Sequence, residues 1–208
     1  MIVYVESNFV LEIAFEQEQA LSANAILTLA ESGKLKLAFP SFVLSEPFES
    51  IMRERRERNV LHDSLVKTLN KLQRSEPHRQ IMLDLEPVIS VLKDAYVREL
   101  DLLHSTFDRL LSTGECIDVN ISSFREALNY QKNLGLSPQD SIVYATMVTD
   151  LMTRSEKEAK CFLSRDKRAF DNEDDRSIKT ELESYNCRYI GSFAQGLGFI
   201  QHELQNSE

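Results

Sequence analysis

The chain has 208 residues, and its 24 Lys and Arg against 33 Asp and Glu give a formal net charge of −9. This length corresponds to one domain with a hydrophobic core, and the 42% hydrophobic and 27% charged content excludes global disorder and a disulfide-rich miniprotein. The acidic balance argues against broad electrostatic binding of nucleic acid, which needs a positive surface.

The N-terminal part of the sequence predicts a strand, a helical region and a second strand. Residues 2–5 are β-branched or aromatic, as in a strand. A helical pattern with a polar interruption at residues 16–19 follows, and Gly33 ends it. Residues 34–39 alternate between polar and apolar, which predicts a second strand that ends at Pro40.

The middle of the sequence, from Phe42 to about Leu111, is almost wholly helical in pattern, and Pro77 and Pro87 are expected to separate its helices. Its apolar residues make faces at positions 48, 51 and 52, at 61, 65, 69 and 72, and at 96, 100, 103, 107 and 110. The last set repeats at four-three spacing, which is typical of helix–helix packing.

The C-terminal part again alternates strands with helices. Strands are predicted at 116–119, 161–164 and 187–190, Ser122 or Ser123 is expected to cap the helix after the first, and Gly135 to end that helix. Ser137, Pro138 and Asp140 have the identities typical of the N-cap, N1 and N3 positions of the next helix. The whole pattern predicts an α/β fold, a parallel sheet with helices on both faces.

Carboxylates stand at the predicted strand ends and helix starts, where parallel-sheet proteins bind ligands. Glu6 follows the first strand, Glu46 begins the helix after the second, Asp140 lies in the first turn of a later helix, and Asp166 follows the strand at 161–164. Four converging carboxylates would repel one another unless a cation lay between them. Mg²⁺ prefers such oxygen ligands, so the pattern is consistent with metal-dependent phosphodiester hydrolysis.

Each of these acids also has a structural interpretation, and the spacing of the acids does not decide between that interpretation and a metal site. Asp140 suits helix capping, and Glu46 would favour a helix N-terminus through the helix dipole. Asp166 suits a turn, and Glu6 suits an exposed surface position.

Four segments, in order, resemble the motifs of the PIN-domain nuclease family. They are V-Y-V-E-S-N-F-V-L, F-P-S-F-V-L-S-E, L-S-P-Q-D-S-I-V-Y-A-T and F-L-S-R-D-K-R-A-F. The resemblance covers roughly residues 1–50 and 115–195. It implies a single PIN-like α/β/α domain over residues 1–208 with a helical insertion at 49–113, and a Mg²⁺- or Mn²⁺-dependent ribonuclease, either a toxin of a toxin–antitoxin pair or a stand-alone RNA-processing enzyme.

The family's functional positions fall on particular residues of this chain. The resemblance implies that Glu6, Glu46, Asp140 and Asp166 are the catalytic, metal-binding acids. Asn8 and Ser164 would support the site. RNA is the implied substrate, and an antitoxin or other protein, or a second copy in a homodimer, is an expected partner.

Two departures from the family pattern favour an alternative function. The first acid is Glu6, where the family usually has Asp, and metal geometry is sensitive to such a change in side-chain length. Compact family members also have a shorter helical stretch than residues 49–113. The alternative is a catalytically impaired PIN-like module that binds a protein partner.

Basic and acidic clusters flank these motifs. Arg165, Lys167 and Arg168 surround Asp166 and are candidates for RNA phosphate contacts. The basic cluster at 53–58 suits a solvated helix with i,i+4 pairs such as Glu54 with Arg58 better than an approach for RNA. The acidic run at 171–175 suits a solvated loop better than a second set of ion ligands.

The sequence shows no sign of a membrane or secreted protein. No apolar run approaches the ~18 residues of a membrane span, and the N-terminal stretch MIVYVESNFVLEIAF lacks a basic region and contains acids, unlike a signal peptide. The odd number of cysteines, Cys116, Cys161 and Cys187, without close pairing predicts a reducing compartment, the cytoplasm. Their apolar neighbours predict that all three are buried.

Overall fold

Five parallel strands form one sheet in the computed structural model, which describes residues 1–76, 85–171 and 177–206. The strands are β1 (Ile2–Val5), β2 (Lys36–Pro40), β3 (Glu115–Ile117), β4 (Lys160–Leu163) and β5 (Cys187–Ile190). Their order is β3-β2-β1-β4-β5, and every neighbouring pair is parallel. The predicted parallel α/β fold is confirmed, and β1 lies at the centre of the sheet.

Helices connect the strands. They are α1 (Ser7–Ala14), α2 (Ala20–Glu31), α3 (Glu46–Leu72), α4 (Glu86–Thr113), α5 (Ile121–Leu134), α6 (Pro138–Leu151), α7 (Lys167–Phe170), α8 (Ser177–Ser184) and α9 (Phe193–Gln205). A short 3-10 turn at Ser41–Leu44 leads from β2 towards α3. The polar interruption predicted at 16–19 separates α1 from α2.

The sheet divides the core into two layers because successive side chains of a strand point to opposite faces. Val3 and Leu37 belong to the layer formed with α1, α2, α4 and α9. Tyr4 and Phe162 belong to the layer formed with α5, α6 and α8. With both faces covered, β1 and β4 are buried along their whole length, which explains the apolar sequences of β1 and of residues 161–163 in β4.

Local capping accounts for the helix boundaries around α5 and α6. The Ser137 side chain accepts a hydrogen bond from the Asp140 backbone N–H, as predicted. The predicted cap of α5 at Ser122 or Ser123 is wrong: Asn120, in extended backbone conformation, is the cap, and its Oδ1 accepts from the Ser123 N–H at 3.0 Å. Gly135 ends α5 in the left-handed conformation, with φ of 66°, which glycine adopts without strain.

The long helices α3 and α4 agree with the predicted helical region in part. Leu103, Phe107 and Leu110 are buried, as the four-three spacing predicts. Phe48 and Met52 of the predicted face both contact α4, through the Phe107 ring and the Tyr96 hydroxyl, although only Ile51 of this face is buried. The exposed fraction is 40% for Phe48, 1% for Ile51 and 40% for Met52.

The predictions for the prolines, for the cysteines and for membrane-spanning helices have different outcomes. Pro87 lies in the first turn of α4, at a helix boundary as predicted, where its missing N–H is not needed, and Pro77 lies outside the described residues. Cys161 and Cys187 are buried as expected, whereas Cys116 is exposed because it stands on the short edge strand β3. Within residues 1–76, 85–171 and 177–206, the structure contains no helix whose length and hydropathy would let it cross a bilayer.

Candidate functional site

The four acids singled out in the sequence occupy the starts of four different helices. Glu6 follows β1 and is the N-cap of α1, and Asp166 follows β4 and is the N-cap of α7. Glu46 and Asp140 lie in the first turns of α3 and α6. Helix N-termini carry a partial positive charge, so each backbone position favours a carboxylate.

A serine hydroxyl joins the first two acids. The Ser7 Oγ lies 2.6 Å from Glu46 Oε2 and 3.1 Å from Glu6 Oε2. A hydroxyl has one proton to donate, so it can satisfy only one carboxylate at a time. Glu6 and Glu46 therefore face each other across a single polar group, although they are 40 residues apart in sequence.

Glu6 is the most constrained acid of the group. It is 5% exposed, so the alternative of a surface position is wrong. Its Oε2 accepts from the Asn8 backbone N–H at 2.8 Å, and its Oε1 is buried without a hydrogen-bond partner among the described residues. Burial raises the pKa of Glu6 to about 7, and the Glu46 carboxylate adds to the rise. The Asn8 N–H and the hydroxyls of Ser7 and Ser164 lower the pKa of Glu6 and so offset part of this rise.

Asp140 is electrostatically coupled to two of the other acids. Its pKa is raised first by burial and then by the charges of Asp166 and Glu46, while the hydrogen bond from Ser137 opposes the rise. Glu46 thus acts on both Glu6 and Asp140. The four predicted acids form one electrostatic cluster at the carboxyl edge of the sheet, where such folds bind ligands.

Ser164 connects the first and the fourth acid. It is fully buried, and its Oγ accepts from the Asp166 backbone N–H at 3.0 Å. The same hydroxyl lowers the pKa of Glu6 and so favours the ionised form of that carboxyl. Asp166 Oδ1 in turn accepts from the Ala169 N–H at 3.0 Å, which fixes the start of α7.

Two polar residues of the site are not among the sequence predictions. One is Ser7, for which the only signal in the sequence is its place between Glu6 and Asn8. The other is Tyr189 on β5, whose hydroxyl donates to the Ser164 carbonyl at 3.0 Å. Burial raises the pKa of Tyr189, and the nearby charges of Asp171, Glu6 and Asp166 raise it further. Nothing in the sequence marks Tyr189, because its position depends on the pairing of β5 with β4.

The site is not a preformed cage for a metal ion. Among the described residues, no group of three or more His, Cys, Asp or Glu side chains stands close enough to enclose one. Mg²⁺, however, usually keeps several waters and binds through one or two carboxylates together with substrate phosphates. The oxygen-rich donor set and the orphaned Oε1 of Glu6 fit an ion held in that way.

The basic residues near Asp166 differ in their surroundings. Arg165 forms ion pairs with the buried Glu12 and with Glu18, so its guanidinium is held by acids of the chain itself. Lys167 and Arg168 are exposed on α7. These two remain candidates for phosphate contacts, and Arg165 has a structural role in addition to any such contact.

The charged clusters at residues 53–58 and 171–175 form ion pairs that differ from those expected from the sequence. Arg58 pairs with Glu99 of α4 through two hydrogen bonds of 2.9 and 2.7 Å, rather than with Glu54 of its own helix. Asp171, the first residue of the acidic run, forms an ion pair with Lys179. The remainder of that run, 172–175, lies outside the described residues.

Comparison of the chain with protein-family models, with curated proteins and with solved structures finds no match. The resemblance to the PIN-domain family therefore stays a prediction from the four motifs.

Proposed function

We propose that this chain is a Mg²⁺- or Mn²⁺-dependent endoribonuclease with a PIN-like domain, in which residues 49–113 are a helical insertion. The observation that carries the proposal is the Ser7 hydroxyl shared by Glu6 and Glu46, in an acidic cluster to which Asp140 is coupled. Repulsion within such a cluster is relieved by a divalent cation. The order of the four motifs is the second support.

The bound ion would lower the pKa of a water molecule and stabilise negative charge on the phosphate under attack. Glu6 and Glu46 would hold it through the pair of carboxylates at Ser7, and Asp140 and Asp166 would complete the acidic cluster. The Asn8 backbone N–H donates to Glu6, and the Ser164 hydroxyl accepts from the Asp166 backbone N–H. The exposed Lys167 and Arg168 would contact RNA phosphates on either side of the cleaved bond.

The test is cleavage of single-stranded RNA in the presence of Mn²⁺. Asp140→Asn and Asp166→Asn should each reduce the rate by at least about 100-fold, the effect typical of losing one group that stabilises transition-state charge. Circular dichroism should show an unchanged fold. Asp108→Asn, at an exposed carboxylate on α4, is the matched control and should cleave at the parental rate. Equal cleavage by the parent and both site variants would refute the proposal.

A catalytically impaired interaction module is the second candidate, favoured by Glu6 in place of Asp and by the exposed apolar residues on α3 and α4. Titration calorimetry separates the two functions. Binding of Mg²⁺ or Mn²⁺ at millimolar concentration supports the nuclease, and its absence supports the interaction module.

One form of the nuclease proposal is a cytoplasmic toxin paired with an antitoxin. Co-expression of the chain with the products of neighbouring genes tests this form, because an antitoxin would relieve the growth inhibition that the toxin causes.

A further inference from the structure

A basic cavity lies at the open edge of β5, beside the acidic cluster. Its volume is about 520 Å³, within the ~300–1,000 Å³ range of ligand sites. The charged or titratable side chains in its lining are those of Lys179, Arg188, His202 and one acid, Asp171. Four other cavities in the described part of the chain have at least as many acidic as basic side chains. In a chain of net charge −9, a cavity with a basic excess favours an anionic ligand.

The cavity and the acidic cluster share the Tyr189 side chain as a wall. Tyr189 lines the cavity, and its hydroxyl donates to the Ser164 carbonyl, two residues before Asp166. The helix α7 is a second link, because Asp166 is its N-cap and Asp171, which lines the cavity, is its C-cap. The stretch of chain between these two caps spans about 7.5 Å at the rise of a helix. Roughly two nucleotides of a stacked strand, at about 3.4 Å each, cover that distance.

Arg188 is the cation of the cavity that the chain leaves available. Its guanidinium lies over the Phe199 ring, 5.3 Å from the ring centre, and forms no hydrogen bond or ion pair with the described residues. Lys179, by contrast, is paired with Asp171. Because the contact with Phe199 involves no oxygen acceptor, the planar fork of N–H groups on Arg188 is free to bind two oxygens of a phosphate.

The edge of β5 adds backbone groups to the cavity. The Ile190 carbonyl accepts from the Ser164 N–H at 3.3 Å, and the Asn186 carbonyl accepts from the Lys160 N–H at 3.2 Å. Backbone groups alternate in direction along a strand, so the N–H and carbonyl of Tyr189 point away from β4, towards the open edge of the sheet. A ribose–phosphate chain can satisfy both, because its phosphate oxygens accept hydrogen bonds and its 2′-hydroxyl groups donate them.

We propose that this cavity binds a nucleotide of the RNA strand that flanks the cleaved bond, with the Arg188 guanidinium on its phosphate. The aromatic rings of Tyr189 and Phe199 provide apolar surface for the ribose or the base. A cation at this place holds an anionic strand beside carboxylates that would otherwise repel it. The inference rests on the proposed nuclease function, since it takes the RNA cleaved at the acidic cluster as the ligand.

The test is binding of a short, labelled single-stranded RNA to the full chain, measured by fluorescence anisotropy in EDTA so that no cleavage occurs. Arg188→Gln should weaken binding about fivefold or more and lower the slope of log affinity against log salt by about 1. Lys34→Gln is the matched control. It removes the same charge from an exposed residue that precedes β2, at the opposite edge of the sheet from the acids, and should change the affinity less than about twofold. In cleavage assays with Mn²⁺, Arg188→Gln should raise KM and leave kcat unchanged.

Three outcomes would overturn the proposal. They are a parent that does not bind the RNA, equal effects of Arg188→Gln and Lys34→Gln, and displacement of the labelled RNA by inorganic phosphate or a mononucleotide as readily as by unlabelled RNA. The last outcome would identify a site for free phosphate compounds. A parent that binds RNA through Arg188 but never cleaves it would refute the nuclease alone, and cleavage without any effect of Arg188→Gln would refute the cavity alone. Thermal unfolding checks the fold of both variants, which we expect to be intact because both side chains are exposed.

Discussion

Glu6 and Glu46 approach the same hydroxyl group, that of Ser7, from β1 and from the helix that follows β2. The fold therefore places a buried carboxylate next to a second negative charge, with one proton donor between them. Because this arrangement is unfavourable once Glu6 is ionised, the stability of the protein should report on it directly.

The first prediction concerns pH. The pKa of Glu6 is raised from 4.5 to about 7, so between these values the folded chain keeps a proton that the unfolded chain has lost. The resulting stabilisation is complete below the unfolded pKa and is lost as pH rises through the folded pKa. Its size is on the order of 3 kcal/mol. Glu6→Gln should reduce the fall in unfolding free energy between pH 4.5 and pH 7.5 by about this amount, as measured by urea denaturation in metal-free buffer.

Glu49→Gln is the control for that experiment. Glu49 lies in the first turn of α3, as Glu46 does, but its side chain is exposed. Its variant should follow the pH profile of the parent. If Glu6→Gln also follows the parent profile, the raised pKa of Glu6 is contradicted.

The second prediction concerns the shared hydroxyl. Ser7→Ala should lower the unfolding free energy by about 1–2 kcal/mol, because a buried hydrogen bond to a carboxylate is lost. It should also move the pH-dependent loss of stability to higher pH, since the Ser7 hydroxyl lowers the pKa of Glu6. Ser45→Ala removes an exposed hydroxyl that donates to the Phe42 carbonyl, and should change stability by less than about 0.5 kcal/mol. Equal effects of the two substitutions would contradict the role given to Ser7.

The third prediction separates the basic residues around Asp166. Arg165→Ala leaves Glu12, which is 1% exposed, without its cation, and should destabilise the fold by about 2 kcal/mol or more. Lys167→Ala and Arg168→Ala should stay within about 0.5 kcal/mol of the parent, but weaken RNA binding in a salt-dependent way. Urea denaturation and fluorescence anisotropy with labelled RNA measure the two properties. A stable Arg165→Ala protein would contradict the structural role of this residue.

Much of the fold can be predicted from local patterns. The burial of β1 and of residues 161–163 in β4 on both faces of the sheet is reflected in continuous apolar runs. The start of α6 follows from Ser137 and Pro138 at the N-cap and N1 positions. The misplaced cap of α5 has an equally local cause, because Asn120, Ser122 and Ser123 are all residues that favour an N-cap. Only the backbone conformation selects Asn120 among them.

The burial of α3 and α4 is harder to predict. The apolar positions of α3, such as Met52 and Leu61, have the spacing of a packed helix, yet both are substantially exposed. A helical pattern indicates which side chains share a face, but it does not indicate whether another element covers that face. In residues 57–72 and 86–100, no side chain that the structure describes is fully buried.

The sequence by itself determines the strands, the helices and the acids that follow them, because strand alternation, helix periodicity and capping act over a few neighbouring residues. Only the tertiary structure decides that β1 lies between β2 and β4, which brings Glu6 to Glu46 on one side and to Ser164 and Asp166 on the other. These contacts join residues separated by much of the chain, so they depend on sheet order and packing. The shared Ser7 hydroxyl and the place of Tyr189 beside Ser164 are consequences of that order.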